Sequence, residues 1–563
     1  MDFTSTYAHA LWDSVLFSPG STFLAYIAGK SRRQVLVRVS GTLQVVRSWE
    51  LDVALDSLSW SSDGLYLLAS SKSKENAPQE SDGVSYVLPL DPDTAVTDGS
   101  DDHLGWVARV AAGVQGLVHA AWIPLKRIPC FVQFSGLEGS AVVYSLADQG
   151  ITILPRAILP QSMSTTTYAV YSNSNWPEHF IMAQREKEKD CLLVFRPSSP
   201  DAPTLDNPVV WEPQQIIHLP THDVAGVAWS PDGHLLAAWD SALEYRLSIH
   251  TLYGTHLATF TLNEDGVPYT ETPLSRADVQ QALAPSPAGR GRRITVQSSQ
   301  ASKRASISSH PSPSTQRVAG GGLGIRQVSW HPSSEFLALG GYDEQVHILH
   351  QADWSLVYSL DFSTSALRSM NEAPQVWLEP HRWFEATRGQ GIVSFESSTF
   401  PIEVPTIRTE DAATPFQNGI QWMQWNQDGT LLACTNQNLP TVLFVHEFVG
   451  WTERRIDAYL RPLAMLVFSH PVESVAWRPS GTACLAVATG QQAVFLWTIH
   501  GEAGDYALQV AEAVAIPNSS FSAHHLSWSP DGQTLVLLDA HSFCCVVPAP
   551  AEEDVQLDTA APY

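Results

Sequence analysis

Basic residues are scarce in this chain: lysine and arginine number 32 against 57 aspartates and glutamates, a formal net charge of −25 over 563 residues. A nucleic-acid or anionic-membrane footprint needs a cationic surface, so neither partner is expected for the folded body. Cysteine is rare as well. The six present, at 130, 191, 434, 484, 544 and 545, form no Cys-x-x-Cys pair. They read as small apolar core residues in a reducing compartment rather than metal or redox ligands. No uninterrupted apolar run approaches the roughly 18 residues that a membrane-crossing helix needs. Met1-Asp2-Phe3 opens without the basic start of a secretory signal. Regularly placed amphipathic helices are missing too, which argues against a parallel α/β fold.

Catalytic signatures are equally thin. Gly29-Lys30-Ser31 resembles the end of a phosphate loop, but Leu24 stands where the upstream glycine belongs, and a strand pattern follows instead of a helix. His524-His525 and the His347/His350 pair lack the carboxylate or cysteine companions of a metal site. No nucleophile elbow occurs. The reading is of a non-enzyme with no cofactor.

What is present is a returning phrase: an apolar pair, an aromatic, Ser-Pro-Asp-Gly or a variant, then a second apolar run. Clean copies are Val227-Ala-Trp229-Ser-Pro-Asp-Gly233 and Leu526-Ser-Trp528-Ser-Pro-Asp-Gly532. Variants surround Phe17, Trp60, Trp330, Trp425 and Trp477, with weaker ones at Trp122 and Tyr171. The aromatic ends one strand, and the Pro-Asp-Gly element supplies a tight turn, because proline presets φ and glycine tolerates a positive one. The run after it, such as Phe336-Leu-Ala-Leu339, reads as a strand buried on both faces. A second turn and a β-rich strand follow, as in Gln492-Ala-Val494-Phe-Leu-Trp497. Strand and turn at this period describe the inner part of a blade, so the expected fold is all-β, a WD-repeat β-propeller.

The nine phrase aromatics are spaced by 43, 62, 49, 58, 101, 95, 52 and 51 residues. Blades of this type take about 40–45 residues, so the two widest intervals hold a hidden blade or an insertion. Nine motifs exceed the usual four to eight blades: either the closed ring is unusually large, or one weak copy is an irregular closing element. Residues 280–320 contain no aromatic and no acid but six basic residues (Arg290, Arg292, Arg293, Lys303, Arg304 and Arg317), which leaves −31 on the remainder. Such a segment cannot bury enough apolar surface to fold. The expected organisation is therefore blades over 1–262, a disordered basic Ser/Pro-rich insertion over 263–320, and further blades over 321–548. An ordered excursion interrupts the second set at 363–417, and a flexible tail occupies 549–563. The last repeat shows only three strands, ending near Phe543-Cys-Cys-Val-Val547. Residues 2–10 are expected to supply its fourth, which would hide an open sheet edge.

Candidate site residues fall into three groups. Asp240, Asp343 and Asp539 lie at turns between inner strands and read as side chains that hydrogen-bond their own tight turn. In the excursion, Trp377, Trp383 and Phe384 are more apolar than a solvated loop requires. They form either a partner surface, since tryptophan dominates many interfaces, or a pin holding the excursion to the blade edge. Ser286 and Ser312 each precede proline, and Ser306 follows Lys303-Arg304-Ala305, so all three are candidate phosphorylation sites in an accessible basic segment.

Two stretches go beyond generic repeats. Gly226-Val-Ala-Trp229-Ser-Pro-Asp-Gly-His-Leu-Leu-Ala-Ala-Trp239-Asp240-Ser-Ala-Leu243-Glu244-Tyr245 is followed one repeat later by Gly324-Ile325-Arg-Gln-Val-Ser-Trp330 and Gly-Tyr342-Asp343-Glu-Gln-Val346-His-Ile348-Leu349. With Ala433-Cys-Thr435-Asn436-Gln-Asn438-Leu-Pro440, they resemble the centrosomal and spindle-pole WD-repeat family, the WD repeat-containing protein eight type with its fungal members. The resemblance is strong over 224–360 and weak over 71–220; the insertions at 71–83 and 280–320 depart from the family pattern. It implies a non-enzymatic scaffold for mitotic microtubule minus-end anchoring and spindle organisation. The site would be a centrosome or spindle pole body, hence cytoplasm and cytoskeleton. The implied partners are a coiled-coil anchoring protein and a minus-end-directed kinesin. The alternative is a substrate receptor of a ubiquitin ligase. That reading favours a Trp-Asp-x-Arg blade ending, whereas Trp497-Thr498-Ile499-His500 has neither the Asp nor the Arg.

Overall fold

A computed structural model describes residues 2–72, 83–91, 105–113, 116–123, 129–135, 140–146, 148–154, 170–173, 176–186, 189–198, 209–263, 267–272, 324–368, 372–404, 419–450, 458–500 and 508–547. The described strands form nine sheets, and the two described α-helices, Thr364–Arg368 and Trp383–Ala386, are a turn or so each. The fold is an all-β, nine-bladed propeller. Every phrase aromatic, the weak copies at Trp122 and Tyr171 included, lies on the first strand of its own sheet. The ring is therefore the large one, and no copy is an irregular closing element.

The second strand of each blade is the apolar run. Leu235–Asp240, Phe336–Gly341 and Leu431–Asn436 are buried at every position, because each is covered by a neighbouring blade on both faces. The turn before it is built locally. Ser230 Oγ donates to the Asp232 carboxylate (2.5 Å) and accepts from Leu235 N–H (2.9 Å). Ser61 with Asp63 and Ser529 with Asp531 repeat the arrangement. Asn426 replaces the serine in blade seven, its side-chain oxygen accepting from Leu431 N–H at 2.9 Å.

The signature tryptophans do more than fill space. Trp60 Nε1–H donates to the Leu16 carbonyl (3.1 Å), Trp122 to Ser59 (3.2 Å), Trp330 to Ala228 (3.4 Å), Trp425 to Ser329 (3.3 Å), Trp477 to Gln424 (3.1 Å) and Trp528 to Ala476 (3.3 Å). In each case the acceptor immediately precedes the aromatic of the preceding blade. A buried indole needs a partner for its N–H, and here that partner ties one blade to the next. Within blade five, Gly226 makes room for Trp239 on the neighbouring strand: a Cβ there would collide with the indole ring.

Ring closure joins blade nine to blade one. Leu24, Tyr26 and Val15 pack with Val536, Leu538, Phe543 and Cys545 in one buried cluster. The N-terminus supplies the expected fourth strand in two pieces: Asp2 and Phe3 pair with Val547 and Val546, and Tyr7 and Ala8 with Phe543 and Ser542, all antiparallel. Thr4 ties the gap between them: its N–H donates to the Cys545 carbonyl, and its Oγ1 accepts from Cys545 N–H, both at 2.9 Å.

Among the described residues the interval from Trp229 to Trp330 holds one blade, with strands from Val224–Trp229 to Pro268–Glu271, before the next begins at Ile325. Pro268–Glu271 corrects the expected disorder from 263 onward, because it pairs as an added outer strand with Thr259–Leu262; residues 273–323 lie outside the described residues. The interval from Trp330 to Trp425 contains blade six and the excursion. All six cysteines are buried free thiols.

Candidate interaction surface

The excursion leaves blade six and strengthens the outer edges of the next two blades. Gln375–Leu378 lies parallel to Ala464–Val467, the outer strand of blade seven, and Glu396–Ser398 adds beyond it. Between them, Ile392–Ser394 pairs antiparallel with Glu512–Val514 on the outer strand of blade eight. A single segment therefore crosses the seam between blades seven and eight before the chain begins blade seven at Ile420.

The three candidate aromatics sit on this crossing. Trp383 is 4% exposed and packs in a cluster with Phe395, Leu463, Phe468, Phe495 and Trp497, drawn from both blades. Its indole N–H donates to Glu379 Oε1 (3.0 Å), while Glu379 Oε2 accepts from the Ser469 N–H and hydroxyl, both at 2.7 Å. Trp377 and Phe384 are partly buried against the same cluster, and Trp377 Nε1–H donates to Gln509 Oε1 at 3.2 Å. These contacts are those of a pin between excursion and blades. Glu379 and Gln509, which complete it, carry no sequence pattern of their own.

The three aspartates separate. Asp343 accepts from Gln345 N–H (3.2 Å) and Asp539 from Ala540 N–H (2.7 Å), each within its own turn. Asp240 instead ends its strand, is 1% exposed, and accepts from the His222 (3.1 Å) and Asp223 (2.8 Å) N–H groups of the segment entering its blade. Burial raises its pKa, opposed by those two N–H groups and by Arg246. Trp239 is also within the strand rather than in the turn, and Leu243, at the turn's tip, is 75% exposed. Glu244 pairs with Arg246 at 3.1 Å. Beside this turn, Arg185 bonds both Asp190 and Asp223 at 2.8 Å, which holds its guanidinium charged. Ser286, Ser306 and Ser312 lie outside the described residues.

Among the described residues no group of three or more His, Cys, Asp or Glu is placed to hold a metal ion, and no helix is long and apolar enough to cross a membrane. What the described surface presents is rims, open strand edges and face loops.

Nine blades, each with the phrase aromatic on its first strand, define a WD-repeat propeller, a fold that presents rims and loops to other proteins. A family model described as "WD domain, G-beta repeat" matches residues 212–242, the outer strand of blade four with the first two strands of blade five. The mouse (Mus musculus) "WD repeat-containing protein WRAP73" is 22% identical over 544 residues, covering 94% of this chain and 92% of the mouse protein. Among solved structures, Sqt1 from Chaetomium thermophilum is 15% identical with a TM-score of 0.42, over 88% of this chain and 96% of that one. The C-terminal WD40 domain of Sif2 is 11% identical with a TM-score of 0.41, over 91% and 99%.

Proposed function

We propose that this chain is a non-enzymatic WD-repeat scaffold that anchors microtubule minus ends and organises the spindle at the spindle pole body or centrosome. The observation that carries the reading is the end-to-end likeness to a mouse WD repeat-containing protein, 94% of one chain against 92% of the other. It is supported by the central repeats at 226–245 and 324–349, whose residues bear the resemblance to the spindle-pole family. The scaffold would hold a coiled-coil anchoring protein and, through it or beside it, a minus-end-directed kinesin. The acidic body suits a protein partner better than nucleic acid or an anionic membrane.

Affinity purification of the tagged full-length chain from dividing cells tests this. Recovery of a coiled-coil pole protein, with the tag concentrated at microtubule organising centres, is the expected result. Recovery of a cullin adaptor in its place would identify a ubiquitin-ligase receptor and overturn the proposal, as would recovery of neither.

A further inference from the structure

The excursion leaves one strand edge open beside a cavity. Ala515 N–H donates to the Gly391 carbonyl (3.0 Å) and Phe395 N–H to the Ala511 carbonyl (2.8 Å). Residues 391, 393 and 395 thus face blade eight, and antiparallel alternation turns the N–H and C=O of Ile392 and Ser394 the other way. Ile392–Ser394 terminates its sheet, with no strand beyond it among the described residues. Ile392 is 51% exposed. An uncovered edge of this kind is a template for another strand.

Next to that edge is a cavity of about 490 Å³ between the 388–392 loop, the end of blade eight and the N-terminal strand. Its apolar wall includes Phe384, Ile392, Val514, Ile516 and Pro517. That volume lies within the range of pockets that hold a ligand or a large side chain. Among the described residues Arg388 is the only charged member of its lining, and no acid pairs with it. Arg32, Arg109, Arg185, Arg246 and Arg461 are paired with carboxylates, whereas Arg388, like Arg33, Arg47 and Arg382, makes no ion pair among the described residues; what sets Arg388 apart is its place in the lining of an apolar cavity. An unpaired cation at an apolar pocket is notable on a chain of net charge −25.

The loop is held in shape rather than left to adapt. Arg388, Gly389 and Gly391 have φ of 57°, 66° and 82°, the left-handed region that costs a non-glycine residue such as Arg388. A Cβ on Gly389 would lie 2.8 Å from the Phe384 ring, so that ring fixes the loop from beneath.

We infer that this rim site takes an extended acidic–apolar peptide segment of a partner protein. The segment adds as a strand to Ile392–Ser394, places one large apolar side chain in the cavity, and pairs an aspartate or glutamate with Arg388. Backbone bonds supply affinity in strand addition and the pocket supplies selectivity; the unpaired guanidinium supplies the charge preference. The inference rests on the scaffold reading only in that the ligand is a protein, and it is independent of where in the cell that protein resides.

The test pans phage-displayed random dodecapeptides against the full-length chain, then measures enriched peptides, labelled with fluorescein, by anisotropy. Enriched peptides are expected to carry an acid and a large apolar residue. Arg388→Glu should weaken them roughly tenfold, and replacing the peptide's acid by lysine should restore binding to that variant. Ser394→Pro removes only an outward N–H, which an edge strand tolerates, and should also weaken binding roughly tenfold by removing a bond to the added strand. Melting temperature is read for both variants, with Arg388→Gln as the gentler substitution if charge reversal unfolds the rim. Absence of any enriched peptide, or equal binding to all variants, overturns the proposal. An effect of Arg388→Glu without one of Ser394→Pro overturns the added strand. Peptides are selected here without reference to any pole protein, so failure of the spindle-pole reading leaves this result standing.

Discussion

Removing one indole N–H from the ring tests whether the inter-blade tryptophan bonds contribute to stability. Trp477 is the best position: it is 7% exposed, its Nε1–H lies 3.1 Å from the Gln424 carbonyl, and it meets Trp497 edge-on at 6.3 Å. Trp477→Phe removes both the donor and part of the ring. The hydrogen bond is worth about 1 kcal/mol net, and shrinking a buried aromatic adds about 2 kcal/mol through the space it leaves. The expected loss is thus about 3 kcal/mol. Incorporating benzothienylalanine, which keeps the shape of tryptophan but has sulfur in place of N–H, isolates the first term and should cost about 1 kcal/mol. The same analogue at Trp330, whose bond is 3.4 Å, should cost less. Urea denaturation of the full-length chain reads all three. An analogue at Trp477 indistinguishable from the natural residue, with the phenylalanine loss intact, would show that the tryptophan serves by volume alone and would refute the tie between blades.

Deleting residues 2–8 removes the fourth strand of blade nine, with the burial of Phe3 and Tyr7. A loss of roughly 2–4 kcal/mol is expected, seen as a lower melting temperature and faster proteolysis near Ser542–Val547; an unchanged melt would contradict the clasp. His446 is 1% exposed, with no hydrogen-bond partner on either ring nitrogen among the described residues, and burial pushes its pKa down to about 4. The unfolded chain, titrating near 6.5, takes up the proton first, so stability is full above that pH and is lost as pH falls toward 4, by about 2 kcal/mol between pH 7.5 and 5.0. His446→Phe should lack this component in urea midpoints taken at the two pH values, and identical pH dependence in both chains would contradict it. Trp383→Ala should cost roughly 3–5 kcal/mol and speed hydrogen exchange at the Val393 and Phe395 amides, which face blade eight; normal stability with lost partner binding would return Trp383 to the interface reading.

What could be read from the chain, and what could not, divides by the distance over which each interaction is encoded. The Ser-Pro-Asp-Gly turn is self-contained: Ser230, Asp232 and Leu235 complete its bonds within six residues, so even the degraded copies at Trp122 and Tyr171 announce a blade. The clasp was legible by subtraction, because the last blade visibly lacked a strand and the N-terminus had one to spare. The tryptophan bonds were not legible, since their acceptors are backbone carbonyls. Leu16, Ser59, Ala228, Ser329, Gln424 and Ala476 share a position and no chemistry. The crossing of the excursion was hidden for a related reason. Its strands are three or four residues long, too short to show a period, and they pair with residues 464–467 and 512–514, far along the chain. Asp240 shows the limit from the other side: a turn aspartate by composition, it serves the segment at His222 and Asp223 because it is the last residue of its strand and not part of the turn. A repeat fold writes its blades locally and its seams non-locally. The open edge at Ile392–Ser394, on the crossing between blades seven and eight, is therefore a feature that the blade pattern alone could not have marked.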